Sequence, residues 1–271
     1  MNLKKWAAML TAGVLSMAVL AGCGEQQNTN TNADADADSA QQTLTVGFDQ
    51  NFPPMGFVGE DGEYTGFDLE LAAEAAKRMD MEIKYRPIEW DAKDMELESG
   101  TIDCIWNGFS IQTREDQYTW TDAYMKNNQV IVVKTADGID DFAGLAGKTV
   151  DVQADSTAEK ALEEKPELTE TFGNLNAVAD YNTAFMDLES GAADAIAMDS
   201  VVAQYQIKDR EDEFKILDEI ISVEDYGVGV KLGNTELRDK IQSALEEMAA
   251  DGTMAEISEK WFGTDVTIIG K

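Results

Sequence analysis

No histidine occurs anywhere in the 271 residues. That absence removes serine–histidine–aspartate and cysteine–histidine catalysis, and with them most catalytic zinc sites. Cysteine is nearly as scarce, with two in the chain. If Cys23 is set aside for the N-terminal chemistry described next, Cys104 has no partner for a disulfide. It lies in the apolar stretch TIDCIW (101–106) and reads as a small buried hydrophobe rather than a reactive thiol. Positive charge is the third shortage. The chain sets 21 lysines and arginines against 53 acids, a formal net charge of −32. Such a body disfavours nucleic acid and anionic membrane surfaces as partners.

What is present begins with a leader. Lys4 and Lys5 form a basic start, and residues 6–21 are apolar and uncharged, somewhat short for a bilayer span. The run stops at Leu20-Ala21-Gly22-Cys23, which resembles a bacterial lipobox. That resemblance implies a lipoprotein signal peptide over 1–22, with Cys23 lipidated as the mature N-terminus; an ordinary secretory signal with an incidental cysteine is the alternative. Residues 23–42 then read as a disordered tether. The stretch EQQNTNTNADADADSAQQ has no large apolar side chain to offset its ordering entropy. A coil of that kind reaches about 20–25 Å, enough to hold a folded body clear of a membrane.

From residue 43 onward, strand and helix patterns alternate. Strands are expected at 43–48, 81–86, 102–106 and 129–134, with helices at 67–79, opened by Asp68, and at 92–99. A second set follows: strands at 149–152, near Ala177 and at 193–197, and helices at 157–164, 183–189 and 200–207. A strand at 226–231, a helix at 236–250 closed by Gly252 and a last helix stopped by Gly263 complete the pattern. The alternation predicts an α/β architecture with parallel sheets. Its restart near Lys148 suggests two similar lobes.

Three strand ends carry candidate binding groups. After 102–106 come Gly108, whose backbone a ligand can approach and whose carbonyl can accept, the hydroxyl of Ser110, and Arg114. Arg114 offers a planar fork suited to a carboxylate; a surface pairing with Glu115 or Asp116 is the competing reading. After 149–152 comes Ser156-x-x-Glu159, a capping box whose helix start favours anions. After 193–197 comes Asp199, either a helix cap or the partner of an ammonium group. A fork, a helix start and a carboxylate together describe the two charges of an amino-acid zwitterion.

The order of motifs resembles family 3 of the bacterial extracellular solute-binding proteins, the polar amino-acid receptors of ABC importers. It runs Val46-Gly47-Phe48-Asp49 with Phe52-Pro53-Pro54, Tyr64-Thr65-Gly66-Phe67-Asp68-Leu69, Ser99-Gly100-Thr101-Ile102-Asp103 and Gly108-Phe109-Ser110-Ile111. Arg114 with Trp120-Thr121-Asp122-Ala123-Tyr124, then Gly191-Ala192-Ala193-Asp194-Ala195 with Asp199, and Lys260-Trp261-Phe262-Gly263 complete it. The resemblance implies a two-lobed, type II periplasmic-binding-protein-like fold with two hinge crossovers. Lobe 1 would take 43–127 plus 227–271, and lobe 2 would take 128–226.

By position, the resemblance implies that Arg114 clamps the α-carboxylate, with the backbone near Ser110 and Thr157. Asp199, the Gly108 carbonyl and the Ser110 hydroxyl would hold the α-ammonium. Phe52 and Trp90 would sandwich the side chain, and Asp49 and Gln153 would meet its polar end. Asp49 opposes an acidic side chain, so glutamine, a basic amino acid or cystine ranks above glutamate. No cofactor, metal or catalytic residue is implied. The expected partners are the amino acid, an ABC permease and a membrane reached through the lipid, with a monomeric body on the outer face of the cytoplasmic membrane, in the periplasm if the host has an outer membrane.

Two departures from the family pattern stand out: a shortened Gly108–Arg114 segment lacking the usual proline, and Asp155 where glycine is usual. The rival readings are an exported prephenate-type dehydratase on the same fold, which needs no amine partner, and a purely structural lipoprotein.

Overall fold

The computed structural model describes residues 41–271, and the leader, Cys23 and nearly all of the tether lie outside the described residues. The first half contains β1 (Thr43–Phe48), β2 (Asn51–Phe52), β3 (Gly56–Val58), β4 (Tyr64–Thr65), α1 (Phe67–Arg78), β5 (Glu82–Pro87), α2 (Lys93–Glu98), β6 (Cys104–Ile105) and β7 (Tyr118–Trp120). The long strand β8 (Met125–Lys134) opens the second half, followed by β9 (Thr149–Gln153), α3 (Thr157–Glu163), α4 (Pro166–Thr169), β10 (Asn174–Val178), α5 (Tyr181–Ser190), β11 (Ala195–Asp199), α6 (Ser200–Ile207) and β12 (Phe214–Ile216). β13 (Ser222–Tyr226), β14 (Gly229–Lys231), α7 (Thr235–Asp251) and α8 (Thr253–Phe262) close the chain.

Two main sheets result. One runs β5-β1-β6-β14-β7, the other β10-β9-β11-β8-β12, with β13 on β8 and a small β2-β3-β4 sheet apart. Each has a parallel heart, β5-β1-β6 in the first and β10-β9-β11 in the second. The expectation of parallel sheets is corrected at their margins. β14 runs antiparallel to β6 and β7, and β8 antiparallel to β11, β12 and β13. The reason is that β8 and β14 begin where the chain crosses from one sheet to the other, so no covering helix turns them into register with the parallel set.

The strand expected at 102–106 is confined to Cys104–Ile105, and the one expected at 226–231 is two strands broken at Gly227 and Val228. That break is one of the two crossovers. The other enters β8, and the two lie side by side, with Asn127 opposite Glu224 and Met125 opposite Tyr226. The loop after β6 is fastened to this pair. Ser110 bridges Tyr226, Ile111 N–H donates to the Asp225 carbonyl at 3.0 Å, and Gly227 N–H to the Phe109 carbonyl at 3.0 Å.

Local chemistry explains the elements. β11 is buried along its whole length, so its apolar residues run unbroken up to Asp199, whereas β9 alternates buried Val150 and Val152 with the polar Asp151 and Gln153. The Asp180 side chain caps α5 through Thr183 N–H at 2.8 Å, and Gly191 ends that helix in the left-handed region. Asp68 does not open α1: Gly66 is the cap, and Asp68 is fully buried inside the first turn. Its carboxylate accepts instead from Gly108 N–H and from the Tyr124 hydroxyl. Cys104 is fully buried in β6.

Candidate functional site

The carboxyl ends of the parallel strands from both sheets carry the expected groups. Asp49 follows β1, while Gly108, Ser110 and Arg114 follow β6. Gln153 ends β9, Thr157 begins α3 and Asp199 ends β11. Phe52 and Trp90, on the first-sheet side, are buried as well.

Arg114 is buried at 3% exposure, and its guanidinium bonds to Thr157 and Asp155 rather than to Glu115 or Asp116, so the surface-pairing reading fails. Its Nη1 donates to Thr157 Oγ1 at 2.7 Å and its Nη2 to the Asp155 carbonyl at 2.8 Å. The guanidinium also lies over the Phe109 ring, 5.6 Å from its centroid. The arginine on the loop after β6 therefore holds the start of α3 in the other half.

Asp155, the departure from glycine, sits at φ 55°. The position requires the left-handed region, which aspartate tolerates better than most residues. Its carboxylate pairs with Lys93 and lies 3.6 Å from Lys160. Burial pushes the Asp155 carboxyl up, but Lys93, Arg114 and Lys160 outweigh it and hold the group below the usual carboxylate range. Lys93 is fully buried, donates to the Trp90 carbonyl at 3.3 Å and lies over the Trp90 ring. The acid next to the anion-favouring helix start is thus neutralised by a cation from the opposite half. Ser156 caps α3 by accepting from Glu159 N–H at 3.1 Å, while the Glu159 carboxylate reaches back to Asp155 N–H at 2.6 Å. The capping box closes one residue early.

At the other charge, Asp199 occupies the cap position of α6 without capping it. Its Oδ1 accepts from Asn127 Nδ2 at 2.8 Å, Gln129 Nε2 at 2.9 Å and the Tyr226 hydroxyl at 2.7 Å. Tyr181 reaches Oδ2 at 3.4 Å. Burial raises the Asp199 carboxyl, against the pull of these donors. Gly108, at φ 55°, passes between Phe52 and Tyr226: a Cβ there would lie 2.9 Å from the Phe52 ring and 3.2 Å from Tyr226. Only glycine combines that conformation with that clearance.

The third region joins Asp49 to Gln153, whose Nε2 donates to Asp49 Oδ2 at 2.7 Å and to the Ala179 carbonyl at 3.2 Å. Burial, with smaller contributions from Asp180 and Glu89, raises Asp49 to about 6 against the pull of its hydrogen bonds. Phe52 packs on Tyr181 with centroids 5.8 Å apart, and Trp90 meets Phe109 edge-on at 5.5 Å.

Sequence reasoning missed Lys93, Asn127, Gln129, Tyr181, Glu224 and Tyr226. A signal existed for four of them. Asn127 and Gln129 alternate along one strand, and Glu224 and Tyr226 along another, so each pair shares a face. Buried polar residues at that spacing mark a lined site. Lys93 and Tyr181 look like ordinary helix residues in sequence, and only the tertiary fold brings them to the site.

The profile of the bacterial extracellular solute-binding proteins, family 3, matches residues 44–264. The chain is similar to the L-cystine-binding protein TcyJ of Escherichia coli, 31% identical over 94% of this chain and 95% of that protein. Among solved structures it is similar to an ABC uptake transporter substrate-binding protein from Streptococcus pneumoniae with bound histidine. That match has a TM-score of 0.81 and 36% identity, over 83% of this chain and 94% of that one. It is also similar to Tv2483 bound to L-arginine, with a TM-score of 0.81 and 30% identity over 84% and 94% of the two chains.

Proposed function

The chain belongs to the bacterial extracellular solute-binding proteins, family 3, and from that premise we propose that it captures a polar or basic L-amino acid by hinged closure and hands it to an ABC permease. One observation carries the reading: a buried arginine fork that already reaches the opposite half, in a fold whose other strand ends carry the buried acceptor Asp199. Arg114, with Thr157 and the backbone near Ser110, takes the α-carboxylate. Asp199, the Gly108 carbonyl and the Ser110 hydroxyl take the α-ammonium. Phe52 and Trp90 flank the side chain, and Asp49 with Gln153 meets its far end. Arg114 and Asp199 come from different halves, so a ligand that needs both favours the closed form.

The far end selects against acids. When ionised, Asp49 offers acceptors and no donor, and Asp180 and Glu89 add negative charge around it. L-Arginine, L-lysine and L-glutamine fit this chemistry, and relatives named for L-cystine or solved with histidine or L-arginine extend the class to those amino acids. Capture ends without turnover: an acid placed to receive an amine has no task in the rival dehydratase reading. We propose further that Cys23 carries the lipid, that residues 23–42 are the tether, and that a monomeric body of lobes 43–127 plus 227–271 and 128–226 works on the outer face of the cytoplasmic membrane.

The test is a thermal-shift panel on the mature, unacylated protein, freed of bound solute by unfolding and refolding. An amino acid at a hundredfold its Kd adds about 2.7 kcal/mol of stability. A rise with one or more members of the class, abolished by Arg114→Ala, is the expected result. A well-folded protein silent to the whole panel would overturn the reading.

A further inference from the structure

The ammonium end holds a second acid. Glu224, on β13, is 1% exposed and faces Asn127 across the crossover pair. Asn127 Nδ2 donates to Glu224 Oε1 as well as to Asp199, and Gln129 Nε2 donates to Glu224 Oε1 at 2.6 Å as well as to Asp199. Two buried carboxylates therefore share the same two amide donors. Glu224 Oε2 is buried without a hydrogen-bond partner, and the nearby Ser110 hydroxyl favours the ionised form of the acid.

The surroundings supply no counter-charge. The polar groups that face the pair are Asn127 and Gln129 from β8, Tyr226 from β13, Tyr181 from α5 and Ser110 from the loop after β6. Behind them, Ser200 bonds Asn127 and Tyr124 bonds Asp68. Among the described residues, no lysine or arginine forms an ion pair with either acid. Neutral donors of this number cannot stabilise two adjacent buried anions, so the empty pair retains a proton.

We propose that Glu224 is a second ammonium-receiving residue, and that with Asp199 it forms a proton-sharing dyad emptied of its proton when the amino acid enters. The proposal rests on the amino-acid-capture reading. The carboxylic O–H bond breaks, its proton leaves to solvent, and the freed carboxylate accepts an N–H from the α-ammonium, which keeps all three of its protons. The unpartnered Oε2 is the acceptor that this hydrogen bond would satisfy. The acidity of Glu224 agrees: burial first, then the charge of Asp199, raises it to about 8. Capture then strengthens as pH rises toward that value and weakens in acid.

Calorimetry on the mature, unacylated protein tests this with L-arginine, L-glutamine and L-cystine, each titrated in phosphate and in Tris at the same pH. The difference in heat between buffers counts protons. At pH 7 the wild type should release about one-half to one proton per amino acid bound, and between pH 6 and 7 its affinity should rise by up to about tenfold. Glu224→Gln keeps an oxygen for the two amide donors; it should still bind but lose most of this release, leaving only what Asp49 contributes. Glu224→Asp should keep the release with a shifted pH midpoint. Binding without proton release by the wild type, or equal release from wild type and Glu224→Gln, would overturn the dyad alone. The wild-type count stands even if a variant does not fold. Absence of binding by all three amino acids would instead overturn the capture reading, and the dyad with it.

Discussion

Gln153 Nε2 donates to Asp49 Oδ2 at 2.7 Å, joining the end of β9 to the residue that follows β1 in the other sheet. A side chain that enters between them must replace that bond with one at least as good. A guanidinium or ammonium does so, because a hydrogen bond to a charged group contributes about 1.5–3 kcal/mol. Asp49→Asn should therefore weaken L-arginine binding by at least about tenfold and change L-glutamine binding much less. Calorimetry at pH 7.5, where Asp49 with its acidity near 6 is ionised, makes the comparison.

Arg114 should tolerate neither truncation nor a conservative change. Arg114→Ala removes the fork and strands the ligand carboxylate, which costs about 2–5 kcal/mol in affinity. Arg114→Lys keeps the charge but cannot reach Thr157 and the Asp155 carbonyl in one plane. Its affinity should fall between those of alanine and wild type, as read by the same titration.

The Lys93–Asp155 pair should reveal itself in a double-mutant cycle. Asp155→Gly suits the left-handed backbone at that position but leaves buried Lys93 without its anion. Because Asp155 remains one-third exposed at 33%, solvent screening reduces the cost to about 1–2 kcal/mol. Lys93→Met combined with Asp155→Gly should recover most of that loss. Urea unfolding of the four proteins measures the coupling; strictly additive losses would refute it.

Stability of the ligand-free protein should fall as pH rises from about 4 to 7. Burial raises Asp68 from 3.8 to about 7 despite its bonds to Gly108 and Tyr124. An acid raised in the folded state contributes stability that is fully present below its unfolded value and lost as pH climbs through its folded one. The loss from Asp68 is on the order of 3–4 kcal/mol. Melting curves between pH 5 and 8 should show the decline, and Asp68→Asn should flatten it.

Much of the architecture was legible because its signals are local. The buried run QVIVVK, the helix 200–207 and the stops at Gly252 and Gly263 follow from periodicity and turn chemistry, and the structure keeps them. Direction was not legible: nothing in β14 announces that it will lie antiparallel between β6 and β7, since partner choice is a tertiary matter. The site divides the same way. Arg114 and Asp199 stand at strand ends where chemistry collects, whereas Lys93 reads as a surface helix residue yet is fully buried and paired with an acid 62 positions away.

The crossover pair has a mechanical corollary. Two hydrogen-bonded strands form a ribbon, and a ribbon flexes easily out of its plane, because small dihedral changes spread over several residues accommodate the bend. Sliding one strand past the other would break the ladder from Ser222–Gln129 to Tyr226–Met125 all at once. A ribbon of this kind therefore resists shear more strongly than bending. Under the hinged closure proposed above, such a bend would bring Arg114 back to the same register against Thr157 at each closing.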